Sequence, residues 1–359
     1  MDIQNVLQAT IDKKGSDIHL RVGGVPHIRI DGLLTPFSQE MLTPAVVEDI
    51  LKKLITPHAK KIFDEKGECD FSFEIENVAR FRVNAFHQRG RLSLAIRYIP
   101  VQIPSFQELK LPATTIRKIA DLRRGLVLLT GATGSGKSST LAAMVDAINE
   151  TRPCHIVTIE DPIEFLHKDK KAIVTQREIG QDTESFAEGL RMALRQDPDV
   201  ILLGEMRDIE TTAAALTAAQ TGHLVLATMH TVDTTQTITR IIDLYPPHQQ
   251  NLMRKELAET LKAVVSQRLL PCLKGGRVPA IEIMAVTAHI KKLIEDNDSN
   301  GIVQAIGKGQ FYGMQTFNQS LFRLFKDGLA SENDIMDAAT SPDDLRLAMK
   351  GIEQEIRMG

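Results

Sequence analysis

A glycine-rich segment in the middle of the chain has residue types and spacing that suit phosphate chemistry. Residues 131–138 read GATGSGKS and match G-x-x-x-x-G-K-[ST] at every defined position. Backbone N–H groups of such a loop, and the positive end of the helix that follows it, point at one anion. Lys137 would reach the β- and γ-phosphates of a nucleoside triphosphate, and Ser138 would hold Mg²⁺. The predicted nucleotide-binding residues are Thr133, Gly134, Ser135, Gly136, Lys137, Ser138 and Ser139.

Ionisable side chains follow several apolar runs after this loop. Glu205 ends the run VILLG and would bind Mg²⁺ directly or through water. Residues 159–164 read IEDPIE, and either Glu160 or Glu164 would orient an attacking water. His230 follows another apolar run and is a candidate sensor of the γ-phosphate. Each carboxylate has the alternative of a solvated strand end, and the histidine that of a structural residue.

Alternating apolar runs and helical patterns must position these side chains. Strand-like runs cover 125–130, 155–159, 200–203 and 224–228, and longer helical patterns separate them. This order is typical of a parallel sheet flanked by helices, in which the strand ends converge near bound phosphates. From about residue 246 the pattern predicts helix to the end of the chain.

The first hundred residues have a different pattern, which indicates a second, smaller α/β domain. Residues 42–62 follow a helical period, whereas 69–75 and 79–86 alternate apolar and polar residues as half-buried strands do. Pro100 and Pro104 favour an extended connection after these strands. The predicted divisions are a domain over 1–98, a linker over 99–110 and a larger domain over 111–359.

Composition excludes several classes of protein. The chain has 359 residues, 43% of them hydrophobic, with three cysteines and a formal net charge of −3. The length suffices for two cores, and the dispersed cysteines give neither a disulfide framework nor a zinc pattern. The negative charge argues against a dedicated nucleic-acid binder. No window approaches the roughly 18 consecutive apolar residues of a membrane span, so we expect a cytoplasmic protein without direct membrane insertion.

Four ordered motifs resemble those of the secretion ATPase superfamily. The segments 131–138, 159–165 (IEDPIEF), 204–208 (GEMRD) and 228–231 (TMHT) correspond to its Walker A, Asp, Walker B and His boxes. The flanking segments SDIHL, RFRVNAF, QREIG (176–180) and GMQT resemble the PilT group, the type IV pilus retraction motors, over nearly the whole chain. The resemblance implies a RecA-like P-loop ATPase domain that binds ATP and Mg²⁺, a smaller PAS-like N-terminal α/β domain and a helical C-terminal portion.

The resemblance also implies partners and catalytic roles. PilT-type motors are homohexameric rings at the cytoplasmic face of the inner membrane, where they act on a pilus platform protein and drive retraction and twitching motility. A second PilT-like ATPase is a further expected partner. Family arginines from the N-terminal domain approach the nucleotide, and the matching positions are Arg82 and Arg97. Family position favours Glu164 over Glu160 as the general base.

One segment departs from the retraction motors and leaves alternatives open. They carry an AIRNLI-type segment, whereas this chain reads HIKKLI over 289–294, with Lys291 and Lys292 in place of the Arg-Asn pair. The alternatives are an accessory PilU-like paralogue and, from other classes, a nucleic-acid-translocating ring ATPase or a slow regulatory nucleotide-binding protein.

Overall fold

The N-terminal part of the chain forms one of two units, Met1–Gln102 and Ile103–Gly359. The computed structural model describes residues 2–13, 15–30, 32–75, 79–99 and 102–350. The helices of the first unit are α1 (Ile3–Asp12), α2 (Pro44–Leu54) and α3 (Pro57–Lys66). Its strands are β1 (Asp17–Arg21), β2 (His27–Ile30), β3 (Leu33–Pro36), β4 (Glu68–Ile75), β5 (Ala79–Gln88) and β6 (Arg91–Ile99).

These six strands form one antiparallel sheet in the order β3-β2-β1-β6-β5-β4. The strands predicted at 69–75 and 79–86 are confirmed as parts of β4 and β5. The single helix predicted over 42–62 is wrong, because Thr56 caps a new helix that begins at Pro57. Proline suits the first turn of a helix and lacks the N–H that a continuous helix needs at this point.

The second unit contains a seven-stranded sheet and eleven α-helices within its described residues. The strands are β7 (Gly125–Thr130), β8 (His155–Glu160), β9 (Ile173–Glu178), β10 (Val200–Leu203), β11 (Leu224–Met229), β12 (Leu261–Pro271) and β13 (Arg277–Ala285). The helices are α4 (Ala113–Ala120), α5 (Lys137–Thr151), α6 (Phe186–Ala193), α7 (Ile209–Gln220), α8 (Thr234–Asp243), α9 (Pro247–Thr260), α10 (Ala288–Glu295), α11 (Ser299–Lys308), α12 (Phe317–Lys326), α13 (Glu332–Ala338) and α14 (Pro342–Met349).

The sheet order is β13-β12-β7-β11-β10-β8-β9, and all neighbours are parallel except the β12–β13 pair. The four predicted strands are confirmed as β7, β8, β10 and β11. Helices cover both faces: Leu126 and Leu128 belong to one buried cluster, and Val127 and Leu129 belong to another. Burial of both faces explains why these strands read as continuous apolar runs.

The expectation of helix from about residue 246 to the end is wrong over β12 and β13. Helix α9 ends at Thr260 and β12 begins at the next residue. The run that follows is buried on both sides of the strand, and its adjacent Val264 and Val265 favour extended backbone. From Ala288 onward the described chain is helical, apart from loops and one short turn over Gln310–Tyr312. No helix of the described residues is long and apolar enough to cross a membrane.

The segment predicted as a linker differs from an extended connection in its second half. Pro100 and Val101 lie outside the described residues. After them, Phe106 is buried in the core of the second unit. The Glu108 carboxylate accepts hydrogen bonds from the backbone N–H and the hydroxyl of Ser105, at 2.7 and 2.8 Å. These bonds close a turn, so this part of the segment is packed and folded with the second unit.

Candidate active site

The glycine-rich loop turns tightly between β7 and α5. Gly131 and Gly136 have φ values of +143° and +93°, which favour glycine. A Cβ atom on Gly131 would lie 2.4 Å from the carbonyl oxygen of Gln267 and 2.5 Å from the Ser135 hydroxyl oxygen. Only glycine therefore fits there, and α5 begins at Lys137 with its N-terminal N–H groups next to the loop. This cradle has the form that binds phosphate groups.

Lys137 is folded back into this loop. Its Nζ donates to the carbonyl oxygens of Gly131 and Ala132, at 2.7 and 3.0 Å. The side chain is buried, and burial lowers its pKa although the charges of Glu205 and Glu164 act in the opposite direction. The ammonium group thus lies where a phosphate group in the loop would replace carbonyl dipoles as its partner.

The carboxyl ends of β8, β10 and β11 converge beside the loop. They surround a cavity of about 310 Å³. The predicted site residues that line it are Thr133, Gly134, Lys137, Ser138, Glu160, Glu164, Glu205 and His230. Ser135, Gly136 and Ser139 belong to the same loop and first helical turn but lie outside this lining. The topology therefore brings carboxylates from two strand ends and one histidine to the predicted phosphate cradle.

Glu205 is the centre of a charged cluster in this cavity. Its Oε2 lies 2.5 Å from Nη2 of Arg207 and 3.3 Å from Nε2 of His230. Burial favours the protonated acid, but Arg207 and His230 outweigh it and lower the pKa of Glu205. Glu205 is therefore ionised at neutral pH. The neighbouring strand ends, of β10 and β11, are joined by a hydrogen bond that the Thr228 hydroxyl donates to the carbonyl oxygen of Gly204 at 2.5 Å.

Arg207 is a site residue that the sequence interpretation missed. It lines the cavity and pairs with Glu205, although its side chain is largely exposed. The available signal was its place in the GEMRD segment, two residues after Glu205. Residues two apart in an irregular turn have no fixed relative orientation, so spacing alone did not indicate the pair.

The two candidate bases have different surroundings. Burial raises the pKa of Glu160 to about 7, against hydrogen bonds from the Thr158 hydroxyl, the Gln176 amide and the backbone N–H of Glu164. Two of these donors meet the same Oε1 atom, from Thr158 at 2.7 Å and from Gln176 at 3.2 Å. Glu164 is exposed and lines the cavity. Glu160 is thus fixed within the protein, whereas Glu164 faces solvent.

The residues present fit a magnesium ion bound together with a nucleotide. Among the described residues, no three or more histidine, cysteine or acidic side chains cluster as an all-protein metal site. Mg²⁺ usually takes one or two protein oxygen ligands and completes its shell with phosphates and water. Ser138, in the first turn of α5, and Glu205 both line the cavity and would supply those protein ligands.

Arg82 and Arg97 lie in the first unit, directly opposite each other on β5 and β6. Nε of Arg97 lies 2.8 Å from Asp17, and Nε of Arg82 lies 3.7 Å from Asp70. Burial raises the pKa of Asp17, but the Ser16 hydroxyl and Arg97 reverse this and lower it. Both arginine side chains are substantially exposed, and they lie on the same face of this sheet, each beside an aspartate.

Comparisons with known proteins agree with this arrangement. The family model described as type II/IV secretion system protein matches residues 1–310. The type IV pilus retractation ATPase PilT of Pseudomonas aeruginosa is 44% identical over 343 residues, covering 96% of this chain and 99% of that protein. The type IV pilus ATPase PilU of the same organism is 38% identical, covering 98% and 92%.

A solved structure supports the fold of the described chain. The crystal structure of the pilus retraction motor PilT with bound ADP has a TM-score of 0.90 and 44% identity, and covers 96% of this chain and 99% of that one. The predicted fold class and the predicted resemblance to the PilT group are both confirmed.

Proposed function

The chain belongs to the type II/IV secretion system protein family, and we propose that it is a PilT-type ATPase that drives type IV pilus retraction. The observation that carries the proposal is that Lys137, Glu164, Glu205 and His230 all line one cavity. This cavity has the groups required for phosphoryl transfer to water, namely a phosphate cradle, metal ligands and a candidate base. The similarity to PilT over almost the full length of both proteins supports retraction as the work performed.

The proposed roles follow from the surroundings of each group. The loop N–H groups and Lys137 bind the phosphates of ATP, and Ser138 and Glu205 hold Mg²⁺. When bound, Mg²⁺ neutralises charge on the phosphate oxygens. Glu164 orients the attacking water because its carboxylate is exposed in the cavity, whereas three donors within the protein hold Glu160. His230 senses the γ-phosphate from its position 3.3 Å from Glu205.

Arg82 and Arg97 complete the proposed mechanism from the first unit. A guanidinium group stabilises charge that develops on the transferred phosphoryl group. In a homohexameric ring at the cytoplasmic face of the inner membrane, these arginines would meet nucleotide and couple hydrolysis to domain movement. The partners we propose are the inner-membrane pilus platform protein and a second PilT-like ATPase.

Two measurements test this function. Purified protein should hydrolyse ATP with Mg²⁺, and the Lys137→Ala variant should not. A strain that lacks the gene should carry excess pili and fail to twitch, and the wild-type gene should restore movement. If the purified protein hydrolyses ATP but the deletion strain keeps normal pili and movement, the chain is an ATPase that does not drive retraction.

A specific observation favours an accessory role as the second candidate. Lys291 and Lys292 stand where the retraction motors have Arg-Asn, and the chain also resembles PilU over nearly its full length. An accessory motor would support movement only in a strain that keeps its partner ATPase. Expressing this chain alone in a strain lacking both motors distinguishes the two roles. A salt-dependent DNA-binding assay addresses the translocase alternative, for which we expect no specific binding.

A further inference from the structure

The loop that carries Glu164, residues 161–167, is held by the side chain of Gln176. Gln176 lies on β9, one of the two edge strands of the sheet. Its Oε1 accepts from the backbone N–H of His167 at 2.8 Å, and its Nε2 donates to the carbonyl oxygen of Phe165 at 2.9 Å. One amide therefore pairs with a backbone carbonyl and a backbone N–H on the C-terminal side of Glu164, those of Phe165 and His167.

A second side chain of the same strand holds the other side of the loop. Glu178 is buried, and its Oε2 accepts from the backbone N–H of Ile163 at 3.2 Å. Residues 176 and 178 lie on the same face of β9, since side chains alternate along a strand. The loop is thus fixed immediately before and immediately after Glu164 by two neighbouring side chains of one strand.

Gln176 also connects this loop to the half-buried Glu160. The orientation of its amide is determined, because the oxygen must face the His167 N–H and the NH₂ group then faces acceptors. Those acceptors are the Phe165 carbonyl and, at 3.2 Å, Oε1 of Glu160. The parallel register places Thr158 opposite Gln176, and the Thr158 hydroxyl donates to the same Glu160 oxygen.

We propose that Gln176 is a positioning residue, which sets the place of Glu164 by holding its loop and joining it to Glu160. The inference rests on the proposed ATPase function and assigns a role to the QREIG segment. A catalytic group must be held to within about 0.5 Å, and a misplacement of about 1 Å costs on the order of 10² in rate. The phosphate loop makes none of these contacts, so they should affect phosphate binding much less than turnover.

The first test replaces the amide with an apolar side chain of similar length. Gln176→Met should lower kcat about 10- to 100-fold and change KM for ATP and the affinity for ADP less than about threefold. Thr175→Val is the matched control: on the opposite face of β9 it removes a 2.9 Å hydrogen bond to His155. The control should keep wild-type kcat at a comparable thermal stability.

The outcomes separate this inference from the proposed function. Absence of ATP turnover in the wild-type protein refutes the ATPase function itself. Turnover in the wild type with unchanged kcat in Gln176→Met refutes the positioning role. An equal loss of kcat in Thr175→Val also refutes it, because that loss would follow from a loosened strand and not from the amide.

A second variant gives a readout that loosening of the strand would not produce. Gln176→Glu keeps the acceptor for His167 but places a carboxyl group beside Glu160. At acidic pH the pair shares a proton and a donor returns, whereas at alkaline pH both carboxyl groups ionise and the two charges repel. The other ionisable groups around this cavity are Lys137, Asp161, Glu164, His167, Glu205, Arg207 and His230. The ratio of variant to wild-type kcat should therefore rise as pH falls, since division by the wild-type rate removes their common titration. A ratio that does not depend on pH overturns the inference.

Discussion

Replacing Glu160 with glutamine should stabilise the protein at alkaline pH and not at acidic pH. Burial raises the pKa of this carboxyl to about 7 from an ordinary value of 4.5. The folded protein therefore binds the proton more tightly than the unfolded chain does. The associated stability is fully present below about pH 4.5 and is lost as pH rises through about 7.

The size of the effect follows from these two values. The difference between about 7 and 4.5, at about 1.36 kcal/mol per pH unit, corresponds to about 3 kcal/mol. Glu160→Gln keeps the volume and the oxygen that accepts from Thr158 and Gln176, but it does not ionise. The variant and the wild type should therefore be about equally stable below about pH 4, and the variant should be up to about 3 kcal/mol more stable near pH 8.

Urea unfolding of the second unit, followed by circular dichroism at several pH values, measures this difference. Glu164→Gln is the matched control: its carboxyl is exposed, so its stability should follow that of the wild type at each pH. The same pair tests the choice of general base, because Glu164→Gln should lose far more turnover than Glu160→Gln. A Glu160→Gln protein that is destabilised at pH 8, or that keeps the wild-type dependence on pH, would refute the reasoning.

Four further variants test the remaining assignments. Lys137→Ala should weaken ADP binding about 10- to 100-fold in a titration, because it removes a charge-assisted hydrogen bond worth about 1.5–3 kcal/mol; wild-type affinity would contradict the site. Glu205→Ala should retain ADP binding and lose turnover in a steady-state assay. An unchanged rate would show that Glu205 has only a structural role. Arg97→Ala should lower kcat by about 10³ with little change in nucleotide affinity, and equal losses in both would exclude an arginine finger. Joint replacement of Lys291 and Lys292 by glutamate should leave turnover near wild type and impair twitching on agar; normal twitching would mean that these lysines serve only in their ion pairs with Glu259 and Asp296.

The parallel strands were predictable because each is a short apolar run between polar segments. The sequence gives no such boundary before β12, which begins one residue after α9 ends, without a glycine or proline between them. A short apolar run fits a buried helix and a buried strand equally well, so periodicity did not separate them. Strand β9 was also not predicted, because it lacks the apolar run that marks the other parallel strands. As an edge strand it carries few apolar side chains, and only its C-terminal residue is buried.

The candidate site residues that line the cavity were predictable in kind because motif spacing places them at strand ends, whereas the groups that hold them were not. Gln176 is sixteen residues from Glu160, and their contact depends on the pairing of β8 with β9. That pairing sets Thr158 opposite Gln176 and Glu160 opposite Glu178. A slip of one residue would turn Gln176 and Glu178 to the other face of the sheet and release the loop of Glu164. The geometry of the candidate base therefore depends on the register of an edge strand, which is a property of tertiary pairing and not of any local pattern in the sequence.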